Sequence, residues 1–256
     1  MGSGLVVGEE HFAVVFVVAM FIAMLACLEI GRRLGQYFRA RNDSGTSEGV
    51  ATIDAALFAL LGLLIAFTFS GAATRFEARR ELIRDEANAI GTAYLRIDLL
   101  TPAAQPALRQ DFRDYVEARL AIYADVRDPQ KLRAAQAHAA AMQARLWAHT
   151  MAGTAATPGV APTTLLIPPI NEMFDMATTR TVASQAHPPK IIFAMLAFLA
   201  LACSMTAGFS MASGHRGRQT LHIIAFSTAV TLTLYVILDL EYPRMGPFRI
   251  DTADQI

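Results

Sequence analysis

Residues 53–73 read IDAALFALLGLLIAFTFSGAA. Apart from Asp54 the stretch carries no charge, and its length matches the roughly 20 residues that cross a ~30 Å hydrocarbon core. Inside lipid each backbone N–H and C=O needs a partner from its own segment, so the run is a helix and not a strand. The rest of the chain is organised around that helix.

Three further runs share its character: about Phe12 to Ile30, Ile191 to Ser213, and Leu221 to Leu240. The sequence therefore predicts an all-α integral membrane protein with four transmembrane helices and a helical extramembrane insert between the second and third. The domains fall at 1–73 (a first transmembrane hairpin), 74–190 (the insert) and 191–256 (a second hairpin and tail). The short connections Gly31–Thr52 and Gly214–Thr220 predict antiparallel neighbours. Of 256 residues 54% are hydrophobic and only 17% charged, below the ~25% usual in soluble domains. Formal net charge is zero, which gives no footing for nucleic acid; the lipid bilayer is the partner this composition implies. Cys27 and Cys203 both lie in apolar runs and read as small hydrophobes. The segment before Phe12 lacks Lys and Arg and holds Glu9 and Glu10, so the first run is expected to span the membrane and not to be a cleaved signal. Met24-Leu25-Ala26-Cys27 has bulky Leu25 where a lipoprotein cleavage site wants a small residue.

The insert, residues 74–190, carries 14 Lys/Arg and 12 Asp/Glu. Ile83, Ala87, Ile90, Tyr94 and Ile97 recur every three or four residues, one helical stripe. Nothing breaks the helix between this stripe and the second span, so that helix is expected to continue to about Leu100, where Thr101-Pro102 stops it. A second helix carries Leu108, Phe112, Tyr115 and Ile122. Asp128-Pro129 is a helix start, with Asp as cap and Pro at the first position. Leu132, Ala135, Ala139, Met142, Leu146 and His149 then form a heptad stripe. Residues 153–162 read as a loop, and a last helix is expected from about Pro168 to Ala186.

Charge sets no single orientation. Arg32, Arg33, Arg39, Arg41, Arg216 and Arg218 lie on the side of the short loops, which favours that side as cytoplasmic. Arg75, Arg79, Arg80, Arg84 and Lys190 at the flanks of the insert, with Arg244 and Arg249 in the tail, balance them on the other.

No catalytic constellation is present, so no enzyme is expected. His11, His138, His149, His187, His215 and His222 are scattered without ligand spacing, and there is no phosphate-cradling loop, nucleophile elbow or metal quartet. No cofactor is implied. Glu29, Asp54, Asp239 and Glu241 sit at the ends of spans, where carboxylates can reach the interface. Asp239 and Glu241 share a membrane face with Arg75, which makes a charge pair there a candidate feature. On the second span Gly62, Ala66, Ser70 and Thr74 form a small stripe at four-residue spacing, a helix-packing signal in lipid. Beside it Ala59, Leu63 and Phe67 recur one per turn, either as ordinary lipid contact or as an apolar constriction.

The run from Leu63 to Leu82, with Phe67, Arg75-Phe76 and Arg80 in frame, resembles the second helix of bacterial bestrophins. The order of spans is similar too. Over nearly its whole length the chain resembles a bacterial membrane family labelled bestrophin-like, through Phe76-Glu77-Ala78-Arg79-Arg80, Glu86-Ala87-Asn88-Ala89-Ile90-Gly91-Thr92-Ala93-Tyr94-Leu95-Arg96, Asn171-Glu172-Met173 and Asp239-Leu240-Glu241-Tyr242-Pro243-Arg244. The resemblance implies a multi-pass protein of the bacterial inner membrane, a homo-oligomer, in bestrophins a pentamer, and an ion channel. It implies a neck lined by Ala59, Leu63 and Phe67. Ala59 is small, which would make that level wide. The residues after Phe67 are less polar than in bacterial bestrophins, and the acidic calcium-binding cluster of the animal proteins has no counterpart. The resemblance also implies a cytoplasmic insert, against the short-loop charges. Two functions stand open at this level: an oligomeric ion channel with the second helix at its axis, or a membrane-anchored sensor or scaffold that binds a protein partner through the insert.

Overall fold

The computed structural model describes the backbone at residues 8–41, 47–124, 128–213 and 216–242, and side chains at 15–40, 51–123, 128–212 and 221–242. Glu9, Glu10, His11, Arg41, His215, Arg216, Arg218, Pro243, Arg244 and Arg249 lie outside the described side chains.

The protein is all-α, and no strand occurs among the described residues. The helices are α1 (Gly8–Arg41), α2 (Ser47–Leu95), α3 (Gln105–Ala124), α4 (Pro129–Ala156), α5 (Ala161–Gln185), α6 (Lys190–Ser210) and α7 (Arg216–Glu241), with short 3₁₀ turns at Arg96–Leu99 and Met211–Ser213. Four helices are long and apolar enough to cross a membrane. The described residues fall into two units, one holding those up to Phe76 and from His187 on, the other Glu77–Ala186.

In the first unit Met20, Met24, Leu61, Leu196, Leu199, Ala200, Cys203, Val230 and Leu234 form the core. The spans joined by short loops are not the closest pairs. α1 packs most closely on α6, then on α7. Glycines on both helices set that approach. A Cβ on Gly31 would overlap the Met205 carbonyl oxygen, and one on Gly208 the Leu28 carbonyl oxygen. A Cβ on Gly35 would lie 2.6 Å from the Phe209 carbonyl oxygen. Gly31 and Gly35 stand four apart, so both fall on one face of α1. They do not end the helix, and α1 continues through residues expected to be loop. α2 stands further off and meets α7 through long side chains, with Phe58 against Phe226 at 5.3 Å.

In the second unit Ala93, Ile97, Leu100, Leu108, Phe112, Tyr115, Leu146, Leu166, Ile170 and Met173 form the core. α2 ends at Leu95, earlier than the expected Leu100, and a 3₁₀ turn carries the helical path to Leu99, just before Thr101-Pro102, where Ala104 N–H turns back to the Thr101 carbonyl at 2.9 Å. Asp128 caps α4, accepting from the amides of Gln130 (2.8 Å) and Lys131 (3.3 Å). The expected loop from 153 is mostly helix. Gly153 is buried inside α4, where a Cβ would press on Leu100 Cδ1 at 3.1 Å. α5 likewise begins before its expected start and contains Pro168 and Pro169. Two consecutive prolines leave the carbonyls of Thr164 and Leu165 without their intrahelical donors. Arg96 Nη1 donates to the Leu165 carbonyl at 2.6 Å, so a side chain replaces the missing amide and the helix continues.

Candidate functional site

α2 has two distinct faces in the membrane unit. Leu61 and Ala72 are buried, and Leu57, Phe58, Leu64 and Ile65 pack against the core. The opposite face, roughly 140° wide at 3.6 residues per turn, is exposed among the described residues. It carries Ala59, Leu63 and Phe67, the last two 52% and 67% exposed. It also carries Gly62, Ala66, Ser70 and Thr74, all exposed, and a Cβ on Gly62 would meet no atom within 4 Å. Thr74 Oγ1 donates to the Ser70 carbonyl at 2.9 Å, so this polar group is satisfied within its own helix. Within one chain the small stripe and the apolar row share a bare face, while close helix contact is made elsewhere, at Gly31, Gly35 and Gly208.

The membrane-face charges converge on Glu241, the last residue of α7, which is 0% exposed. Arg75 Nε donates to Glu241 Oε2 at 2.9 Å and Nη2 to the same oxygen at 2.8 Å. His187 Nδ1 lies 3.1 Å from Glu241 Oε1, and the Tyr242 ring stacks on the imidazole at 4.6 Å. Asp239 is also buried on α7, 4% exposed. The carboxylates at the other end of the spans behave differently. Glu29 accepts from Arg32 and Arg33 on its own helix at 2.8 Å each, and Asp54 accepts from Ser210.

The insert holds charged groups to which sequence reasoning assigned no role. Glu86, buried, accepts from Arg119 Nε at 2.7 Å and from Arg180 Nη1 at 2.8 Å. Arg119 Nη2 donates to the Tyr123 hydroxyl at 3.1 Å, and the Arg180 guanidinium lies 4.0 Å over the Tyr123 ring. Burial pulls the Arg119 pKa down, but its hydrogen bond to Glu86, together with the charges of Tyr123, Glu86 and Tyr115 nearby, outweighs this and holds it above the ordinary value. Burial pushes the Tyr115 phenol up. The helical stripe read by spacing as Ile83, Ala87, Ile90, Tyr94 and Ile97 is buried in the structure at Ile83, Glu86, Ala89, Ala93 and Ile97. Its only readable sign was that Glu86 stands three residues after Ile83. Arg79 is buried too. It donates to the carbonyls of Ala183 (3.4 Å) and Ala186 (3.0 Å), which satisfies the C-terminal end of α5. On the α3–α4 pair, Asp111 meets Arg145 at 2.8 Å and also His149.

Cys27 and Cys203 are both free thiols. Among the described residues no group of His, Cys, Asp and Glu is arranged to hold a metal ion.

Fold and site define a class: a four-span, all-helical membrane protein with a helical insert and an unpartnered face on its second span. The chain belongs to the bestrophin-like family, whose model, described as the Bestrophin-like domain, matches residues 18–255. Searches of curated proteins and of solved structures found no match. Three of the segments that carried the resemblance hold the buried polar contacts: Arg79 caps α5, Glu86 joins α2 to α3 and α5, and Glu241 ends α7.

Proposed function

We propose that this chain is the subunit of a homo-oligomeric ion channel in a bacterial inner membrane, without enzymatic activity, with α2 at the axis. The observation that carries the reading is the composition of the bare face of α2. The exposed surface of the other spans mixes large apolar residues, such as Val15, Val18 and Ile22 on α1, Ile191 and Phe198 on α6, and Leu221 and Leu232 on α7, with small ones such as Ala19, Ala194 and Ala229. The bare face of α2 sets Gly62, Ala66, Ser70 and Thr74 at an unbroken four-residue spacing, with Ala59 beside them. Small residues gain little from lipid but let a second helix backbone come close. A neighbouring copy of α2 is the partner of matching shape, and repeated head-to-tail contacts of one kind close into a ring. The family resemblance favours five copies.

In such a ring Ala59, Leu63 and Phe67 stack one turn, about 5.4 Å, apart along the axis. At the Phe67 level an ion sheds water without gaining a ligand, which is a barrier. Phe67→Ala in reconstituted liposomes is then expected to raise ion flux. A wild type that passes no ion at any voltage or in any salt tested would overturn the channel and leave the scaffold, with the insert as its binding part.

A further inference from the structure

We propose that the C-terminal end of α1 is a binding surface for anionic phospholipids, with Arg33, Tyr37 and Arg39 at the headgroups. Val15, Ile22 and Ile30 lie on one exposed face of α1, and helical period carries that face on into Arg33 and Tyr37. From Val15 to Phe38 the helix rises about 35 Å, which exceeds a ~30 Å hydrocarbon core. Its last turns therefore stand at the level of the headgroups.

Those turns remain apolar where they are exposed. Leu34, Tyr37 and Phe38 are 42%, 53% and 52% exposed, and the Tyr37 and Phe38 rings meet edge to face at 5.8 Å. Helical side chains lean toward the N-terminus of their helix, which here points into the bilayer. The two rings thus lean back into the interfacial zone where aromatic side chains collect.

The charges at this end favour an anion. Glu29 lies between two guanidiniums, Arg32 and Arg33, at 2.8 Å each, so one cation is in excess. Arg33 uses only its Nε for that bond and its side chain is 76% exposed, which leaves both Nη groups for a phosphate. Arg39 meets no carboxylate among the described residues; its Nη2 donates to the Ser210 carbonyl at 3.4 Å, a long bond. Asp54, the other described carboxylate here, accepts from Ser210 Oγ. The adjoining loops add Arg41, Arg216 and Arg218 against Asp43 and Glu48. A guanidinium presents a fork of donors that fits phosphate oxygens. The phosphatidylcholine headgroup answers its own phosphate with a choline cation, whereas phosphatidylglycerol leaves the phosphate charge free. An exposed end with cations in excess therefore selects the anionic lipid. A second copy of the chain, which brings the same cations, is the poorer match.

The test is quenching by one lipid at a time. Leu34→Trp sets an indole on the surface, and the wild type, whose one tryptophan is Trp147, supplies the baseline. The protein is reconstituted in vesicles of equal parts phosphatidylglycerol and phosphatidylcholine, with bromine on the acyl chains of one lipid or of the other. Phosphatidylglycerol should occupy the place beside the indole in preference to phosphatidylcholine, by about fivefold for each guanidinium engaged. Arg33→Gln and Arg39→Gln keep donors for Glu29 and for the Ser210 carbonyl but lose the charge. Each should lower the preference about fivefold, and the two together should abolish it. Arg33→Lys with Arg39→Lys should keep most of it. Equal quenching by the two lipids, or a preference that survives the double Gln variant, overturns the proposal. No quenching by either lipid overturns it as well, by showing that protein covers this end of α1.

Discussion

Gly208 of α6 lies so close to Leu28 of α1 that a Cβ on the glycine would overlap the Leu28 carbonyl oxygen. The same holds one turn on, where Gly31 faces Met205. The atoms in the way are backbone, which cannot swing aside as the end of a side chain would. Gly208→Ala is therefore expected to force α1 and α6 apart and to destabilise the membrane unit by about 1–3 kcal/mol. Thermal unfolding in detergent measures it. A midpoint unchanged from wild type would show that the helices shift at no cost.

Gly62 is the opposite case. Among the described residues nothing beyond its own stretch of helix lies within 4 Å of its would-be Cβ. Gly62→Leu should leave the helix content of the protein unchanged and lower the mass of the assembled particle, because only a neighbouring copy would meet the new side chain. Circular dichroism and mass photometry read the two effects. An intact assembly would mean that this face of α2 looks into lipid or water and not onto a neighbour.

Glu86 carries two guanidiniums, and Arg119 beside it is buried. Glu86→Gln removes the carboxylate that opposes a buried cation, a loss of about 3–5 kcal/mol in comparable buried pairs. Limited proteolysis of the insert should show it opening at lower temperature. Glu86→Met combined with Arg119→Met should recover part of the loss, since the more buried of the two cations goes as well and only Arg180 loses its Glu86 partner. A double variant as weak as the single one would place the cost in shape and not in charge.

Asp114 is held below the usual carboxylate range by hydrogen bonds from Gln110 and then Arg145. The depressed value means that folding favours the ionised form. That contribution is present above the ordinary carboxyl value near pH 3.9 and is lost as pH falls through the lower folded value. The stability of the wild type should therefore drop more steeply below about pH 4 than that of Asp114→Asn. Parallel acid-unfolding curves would rule the contribution out.

The parts legible in the sequence were those set by near neighbours along the chain. Four apolar runs of spanning length make helices because lipid offers the backbone no other partner. Asp128-Pro129 starts α4, and the 3₁₀ turn that follows α2 ends just before Thr101-Pro102, through groups within four residues. The row Ala59-Leu63-Phe67 and the stripe Gly62-Ala66-Ser70-Thr74 follow from helical period alone, and so does their sharing one face of α2.

Other features depended on residues far apart in the chain. Arg75 and Glu241 are 166 residues apart, and Glu86 is 94 from Arg180. Periodicity marked the insert stripe by its apolar members and passed over Glu86, because a charge is buried only when its partners arrive with it. Pro168 and Pro169 read as a boundary until Arg96, 69 residues before Leu165, supplied the donor that the ring nitrogens lack. Gly31 and Gly35 lay in a segment read as a loop for the same reason: whether a glycine ends a helix or admits a second one is decided by what lies across from it. Local period determines which residues share a face. Tertiary packing alone determines what that face meets, because contact energy depends on distance in space and the spacing of residues along the chain does not encode it.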